Sequence, residues 1–269
     1  MSDLASVPIL TYHSLDASGS PISISPALFR GQVQLLRERG FQGITLRALL
    51  ADWGGGPAPW ARPVVLTFDD GLRSVLEHAA PVLREAGFQA TVFAVAGRCG
   101  TDNGWPGQAA WAPRQVLLSF AELRDLAHDG WEVGSHGLTH AALPRLPPHE
   151  MTNEVVGSKR ILEDRLGSGV TSFAYAYGAA SPPARELVQA HYQAACSTDL
   201  GRARRGDDRF WLRRIDAYYL RPRVLFRLLE TPPGRAYIAL RALGRELRRR
   251  QGYAELGVER SAHRRADSS

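Results

Sequence analysis

The sequence predicts an α/β protein organised around a parallel sheet, and three observations lead there. Apolar runs of strand length alternate along most of the chain with amphipathic stretches of helix length, the order that produces parallel sheets. The side chains capable of chemistry fall just after those apolar runs, where sheets of this kind build their active sites. The 269 residues, 44% of them apolar, suffice for one domain with a sizeable core.

The elements follow in order. Residues 7–12 read as a strand, 14–25 as a polar loop, and 26–39 as a helix with Phe29, Val33 and Leu36 on one face, ended by Gly40. Residues 41–46 read as a strand. Gly54-Gly55-Gly56-Pro57 is a turn, too far from a helix start to cradle phosphate. Pro63-Val64-Val65-Leu66 reads as a buried strand, and 74–86 as a helix tilted by Pro81 and capped by Gly87. A strand over 90–95 precedes a long loop, 97–118, that carries Trp105 and Trp111. Loops of this length usually have a function; the two rings either stack on a sugar or pack the loop onto the domain. Ser119 and Glu122 form a capping box for a helix over 120–128. A short strand at 131–133, a helix over 148–166, a strand at 171–175, a helix at 183–190, strands at 192–196 and 214–219, and a helix at 222–229 complete the alternation. Thr231-Pro232-Pro233-Gly234 divides a domain, 1–231, from a basic helical tail, 232–269.

The formal charge of +6 does not indicate nucleic acid. The nine arginines and four acids from residue 235 onward contribute +5, leaving about +1 on the body. Lys159 is the single lysine, a bias of composition rather than a phosphate-reading surface. Cys99 and Cys196 lack metal-type spacing and read as core thiols.

Two clusters carry the chemistry. Thr67-Phe68-Asp69-Asp70-Gly71 places adjacent carboxylates at a strand exit. Buried carboxylates must be paired, hydrogen-bonded or bound to metal, and Gly71 lets the chain turn so that both reach one cavity. Ser135-His136-Gly137-Leu138-Thr139-His140 sits at the next comparable position. A surface turn explains Asp-Asp-Gly taken alone. Together, one Asp and two His make a three-ligand set with a position open for water, and the second Asp is left as a base. The reaction class is metal-assisted hydrolysis.

These motifs, with Phe173-Ala174-Tyr175-Ala176-Tyr177-Gly178, resemble the polysaccharide deacetylases of carbohydrate esterase family 4. The resemblance runs over roughly residues 7–220. It implies a distorted (β/α) barrel that removes acetyl groups from N-acetylated sugars. By position, Asp69 is then the general base, Asp70, His136 and His140 hold a divalent ion, and the Tyr177 N–H contributes to the oxyanion hole. The ion expected is Zn²⁺, with Ni²⁺, Co²⁺ or Fe²⁺ also suited to such ligands. The third motif departs from the family's pattern, with Ala174 where Arg is usual and Ala176 where Pro is usual. The usual late Leu-x-His motif for the general acid is absent as well. Pro8-Ile9-Leu10-Thr11-Tyr12-His13-Ser14 resembles instead the branch typified by poly-N-acetylglucosamine deacetylases, where the acid-bearing strand lies at the N-terminus; this makes His13 the acid. Arg213 and Arg214 are the substitutes for the missing arginine.

The reading that results is a metal-dependent carbohydrate N-deacetylase acting on an N-acetylated sugar, oligosaccharide or lipid-linked glycan. Two others stay open: an amidohydrolase of cyclic imides or ureides on the same barrel, and a glycan-binding protein that has lost catalysis. The N-terminal residues lack the basic and apolar regions of a signal, and no run of 18 apolar residues occurs, so a cytoplasmic location is expected. In the tail, Ala236, Leu240, Leu243 and Leu247 fall on one helical face and Arg241, Arg245 and Arg248 on the other. Such a helix either lies on an anionic membrane or docks on the barrel.

Overall fold

The structure is a computed structural model that describes residues 6–56, 59–109 and 111–250. Among the described residues ten strands form: β1 (Ser6–Val7), β2 (Ile9–Tyr12), β3 (Gln42–Ile44), β4 (Pro63–Phe68), β5 (Thr91–Ala94), β6 (Glu132–Ser135), β7 (Ser172–Ala174), β8 (Ala194–Leu200), β9 (Ala203–Arg204) and β10 (Leu212–Asp216). Seven of them, in the circular order β2, β4, β5, β6, β7, β8, β10, pair in parallel and close a barrel. β3 pairs with the first half of β4 on the edge that β5 takes farther along. β1 and β9 make a separate antiparallel pair, because Pro8 breaks the single strand expected over 7–12.

The helices are α1 (Pro26–Glu38), α2 (Leu46–Trp53), α3 (Ala80–Ala86), α4 (Phe120–His128), α5 (Pro148–Thr152), α6 (Ser158–Leu166), α7 (Pro182–His191), α8 (Arg223–Arg227) and α9 (Pro232–Arg250). Capping follows the sequence signals. Ser25 caps α1, Ser181 caps α7, and Ser119 and Glu122 close the capping box of α4. Gly87 ends α3 in the left-handed region. The helix expected over 74–86 contains a wide turn at Val75–Ala79, where the Ala80 N–H reaches back five residues to Val75 O. Pro81, lacking an N–H, follows directly. The helix expected over 148–166 is likewise interrupted by a wide turn at Asn153–Gly157, a feature that often marks a functional position. α2 was not anticipated. Thr45 caps it through the Ala48 N–H, and Leu46 and Leu49 bury one face.

Strand alternation divides the core in two. Ile9, Val65, Phe93, Ala174, Cys196 and Leu212 form one buried cluster. Their neighbours Leu10, Leu66, Val92 and Phe173 face the helices in the other, as period-two strands covered by helices require. Tight packing dictates Gly134: a Cβ there would lie 2.6 Å from the Phe93 ring and from Ser172 Oγ. Glu132 is buried, yet accepts from Ser172 Oγ (2.6 Å), Thr91 Oγ1 (3.1 Å) and the Arg47 N–H (2.7 Å). Cys99 and Cys196 are unpaired, and burial pushes both thiols up to about 12.

α9 is not a detached tail. Ile238 is 5% exposed in the main core, and Tyr237 Oη donates to Tyr219 O at 3.2 Å. Residues 251–269 of the predicted tail lie outside the described residues. Among the described residues, no helix is long and apolar enough to cross a membrane.

Candidate metal and catalytic site

β4 delivers the two aspartates. Its ladder with β2 continues past Phe68, where the Asp69 N–H donates to Tyr12 O at 2.9 Å. Asp69 therefore points inward, in step with Val65 and Thr67. Asp70 then adopts φ +71° and Gly71 φ +70°, turning the second carboxylate back over the barrel mouth. A non-glycine residue at positive φ is strained. Among the described residues only Asp70, His140 and Tyr177 show it, and all three belong to the motifs singled out from the sequence.

β6 delivers the histidines. The His136 N–H donates to Ala94 O at 2.8 Å, which extends the β5–β6 ladder. Gly137, at φ +85°, opens the turn that brings His140 back beside it. Glu154 clamps that turn: its carboxylate accepts from the Leu138 N–H (2.8 Å), the Thr139 N–H (3.1 Å) and Thr139 Oγ1 (2.5 Å). Sequence reasoning missed Glu154. Its only signal was an acid beside Val155 in a helix that had to bury one face.

His136 Nε2 lies 3.5 Å and His140 Nε2 3.2 Å from Asp70 Oδ1. One ligand atom from each of the three residues falls within 4.8 Å of the others, and all three are buried. Ligands about 2.0–2.2 Å from a tetrahedral ion are about 3.3–3.6 Å apart, so this spacing fits a divalent ion. His136 Nδ1 is 2.7 Å from Ala174 O. A proton held on that nitrogen leaves the Nε2 lone pair facing Asp70, the usual outer-sphere arrangement for a ligating imidazole. Burial pushes the Asp70 carboxyl up, but the imidazoles of His136 and His140 that face it more than offset this and hold the group well below the usual range.

Asp69 has a different partner. Arg214 on β10 is 3% exposed and grips it with two bonds, Nη1 to Oδ1 and Nη2 to Oδ2, each 2.7 Å. Arg214 Nε donates to Ser197 O (3.0 Å) and Nη1 to Thr67 Oγ1 (3.2 Å). Burial raises the Asp69 carboxyl and the Arg214 charge outweighs it, so the group stays below the ordinary aspartate value. Of the two arginines named from the sequence, Arg213 is exposed; inward alternation selects Arg214. Ala174 occupies the core position at which the family usually has Arg, and contributes only its carbonyl. His13 follows β2, abreast of Asp69 in the β2–β4 register, with Nε2 3.9 Å from Asp69 Oδ2. Its side chain is 23% exposed.

The remaining residues complete the walls. Tyr177 has φ +58°, and Gly178 is confined by Thr198, whose Oγ1 would lie 2.0 Å from an added Cβ. Trp105 is 3% exposed and stacks on His140, ring centroids 4.1 Å apart. Tyr177 meets the same imidazole edge-on at 4.6 Å. Trp111 is 41% exposed at the rim. The two tryptophans paired in the sequence reading thus separate: Trp105 backs the His140 ring, while Trp111 is open to solvent. His13, Asp69, Asp70, His136, His140, Arg214, Tyr177 and both tryptophans border one cavity of about 510 Å³.

Comparison with known proteins agrees with this geometry. The polysaccharide deacetylase family model matches residues 58–195, just over half of the chain. YxkH of Bacillus subtilis (strain 168), whose name assigns it to the polysaccharide deacetylases, is 25% identical over 212 residues, 78% of this chain and 71% of its own. The poly-beta-1,6-N-acetyl-D-glucosamine N-deacetylase of Staphylococcus aureus (strain MSSA476) is 25% identical over 167 residues, 58% of this chain; the match spans 54% of that enzyme, about half its length. The structure of the Streptococcus pyogenes deacetylase PplD, solved with acetate, superposes with a TM-score of 0.69 at 22% identity, covering 78% of this chain and 92% of that one, and so shares the fold. A parallel barrel, an Asp-His-His set spaced for a metal ion and an arginine-held aspartate, together with these matches, lead to one conclusion: the chain belongs to the polysaccharide deacetylase family.

Proposed function

We propose that Asp69 and His13 are the base and acid of acetamide hydrolysis on an N-acetylated sugar. The observation that carries this reading is the two-bond Arg214–Asp69 pair set beside the Asp70, His136 and His140 ligand set in one cavity. Held by both oxygens, the Asp69 carboxylate stays ionised and oriented, and it takes a proton from the attacking water. A divalent ion held by Asp70, His136 and His140, with Zn²⁺ the natural choice for this donor set, supplies acidity to water and polarisation to the acetyl carbonyl when bound. The Tyr177 N–H donates to the carbonyl oxygen as its negative charge grows. His13, near Asp69 and partly open to solvent, gives its proton to the leaving amine. Acetate and a free amino sugar result.

Within this reading Trp111 offers a stacking surface for a sugar ring, while Trp105 holds the His140 ring. The partner is an N-acetylated sugar, oligosaccharide or lipid-linked glycan, and the location cytoplasmic and membrane-peripheral. Leu240, Leu243 and Leu247 of α9, each at least half exposed, support membrane contact. The test is acetate release from N-acetylated oligosaccharides, with and without chelator, followed by return of Zn²⁺, Ni²⁺, Co²⁺ or Fe²⁺. Release that survives complete metal removal would overturn the mechanism. Release from cyclic imides alone would move the enzyme to the amidohydrolase alternative, and binding without release would make it a glycan-binding protein.

A further inference from the structure

α9 presents its faces in the opposite sense to an ordinary surface helix. Ile238 is its buried anchor, yet Leu240, Leu243 and Leu247 are 68%, 56% and 50% exposed. Arg241, Arg245 and Arg248, which share a face by their spacing of four and three, border the catalytic cavity. The Arg241 guanidinium lies over the Tyr219 ring, 4.8 Å from its centroid, so one of the three is held by stacking as well as by its helix. Like charges on one face repel each other, and the acids of the reaction centre do not answer Arg241 or Arg248. Asp69 is taken by Arg214, and Asp70 faces the two histidines. Asp216, also on the wall, accepts from the Tyr218 N–H. A planar, always-charged donor set suits phosphate oxygens. Tyr218, Tyr219 and Trp111 border the same cavity and offer aromatic surface for a sugar.

We propose that the substrate carries a phosphate ester or diphosphate next to its N-acetylated sugar, and that Arg241, Arg245 and Arg248 bind it at the mouth of the cavity. This deepens the deacetylase reading and rests on it for the acetamide. Nucleotide-linked and polyprenol-linked sugars share this chemistry, and the test separates them.

Acetate release by the full-length, metal-loaded protein is measured on three substrates: a neutral N-acetylglucosamine trisaccharide, UDP-N-acetylglucosamine, and N-acetylglucosamine diphosphate on a short polyprenol in detergent. At least one phosphate-bearing substrate is expected to exceed the neutral one in kcat/KM, and whichever does so names the source. Replacing Arg241→Gln and Arg248→Gln, with and without Arg245→Gln, should lower that ratio by about 10- to 100-fold, mainly through KM, as expected for one or two lost charged hydrogen bonds. Glucose 1-phosphate, which has no acetyl group to lose, gives an arm independent of turnover: its calorimetric affinity should fall in the same variants and with added salt. Unchanged melting temperatures establish that the variants fold. A substrate ratio and a glucose 1-phosphate affinity that ignore all three substitutions overturn the phosphate site and leave the deacetylase standing. Arginine-dependent binding of glucose 1-phosphate with no acetate from any substrate keeps the phosphate site and overturns the deacetylase mechanism.

Discussion

Replacing Arg214→Met tests how the base is held. The substitution keeps an unbranched side chain of similar length in the barrel but removes four hydrogen bonds. Two go to Asp69 at 2.7 Å, one to Ser197 O at 3.0 Å and one to Thr67 Oγ1 at 3.2 Å. Asp69, 3% exposed, is then left without the charge that offsets its burial. Removing one member of a buried ion pair costs about 3–5 kcal/mol, a large share of the stability of an ordinary domain. Asp69→Asn should cost a comparable amount, because it strands the guanidinium. The double variant should fall short of the summed single losses by about 3 kcal/mol or more, since replacing both members of a buried pair is often close to neutral. Arg214→Lys should not rescue, because an ammonium cannot reproduce two parallel bonds to one carboxylate. Urea unfolding followed by circular dichroism, at fixed metal concentration, gives the four free energies of the cycle. Each Arg214 variant should also lose roughly 10²–10⁴-fold in kcat, the range for a general base. A coupling energy within about 0.5 kcal/mol of zero, or an Arg214→Met enzyme with wild-type turnover, would refute the account of Asp69 as a base held by Arg214.

Further perturbations separate the other roles. Asp70→Ala, His136→Ala and His140→Ala should each lose bound metal by atomic emission, along with activity; full occupancy in all three would remove the ligand assignment. Asp69→Asn should keep its metal while slowing about 10²–10⁴-fold, and the opposite behaviour of Asp69→Asn and Asp70→Asn would exchange the two assignments. His13→Ala should retain metal and turn over slowly with an altered alkaline limb of the pH–rate profile; an unchanged rate would exclude it as the acid. Ile238→Ala should cost about 2–4 kcal/mol in unfolding free energy, because that side chain anchors α9 in the core, and a neutral effect would mean that α9 is not docked. Deleting 232–269 should weaken salt-sensitive binding to anionic vesicles; a full-length protein that ignores such vesicles at low salt ends the membrane reading, and a truncation that unfolds the barrel makes α9 a docked structural helix.

The local chemistry was legible in the sequence because it is carried by neighbours. Asp69 with Asp70, and His136 with His140, lie within five residues of each other and follow apolar runs, so strand exit and turn already bring each pair together. The alternation of strand and helix likewise announced a parallel sheet. α2 is not legible, because the apolar spacing at Leu46 and Leu49 spans less than one helical turn and merges with the end of the preceding strand. Other features depended on closure of the barrel. Arg214 and Asp69 are 145 positions apart; the sequence offered Arg213 and Arg214 equally, and only the inward phase of β10 chose between them. His13 comes abreast of Asp69 through the β2–β4 register. Trp105 and Trp111 looked alike in one loop, until packing placed one ring against His140 and left the other in solvent. On a helical wheel α9 has an apolar face that would dock and a basic face that would not. The structure anchors it by Ile238 and turns its arginines to the cavity, since the docking face of a helix is set by the surface that receives it.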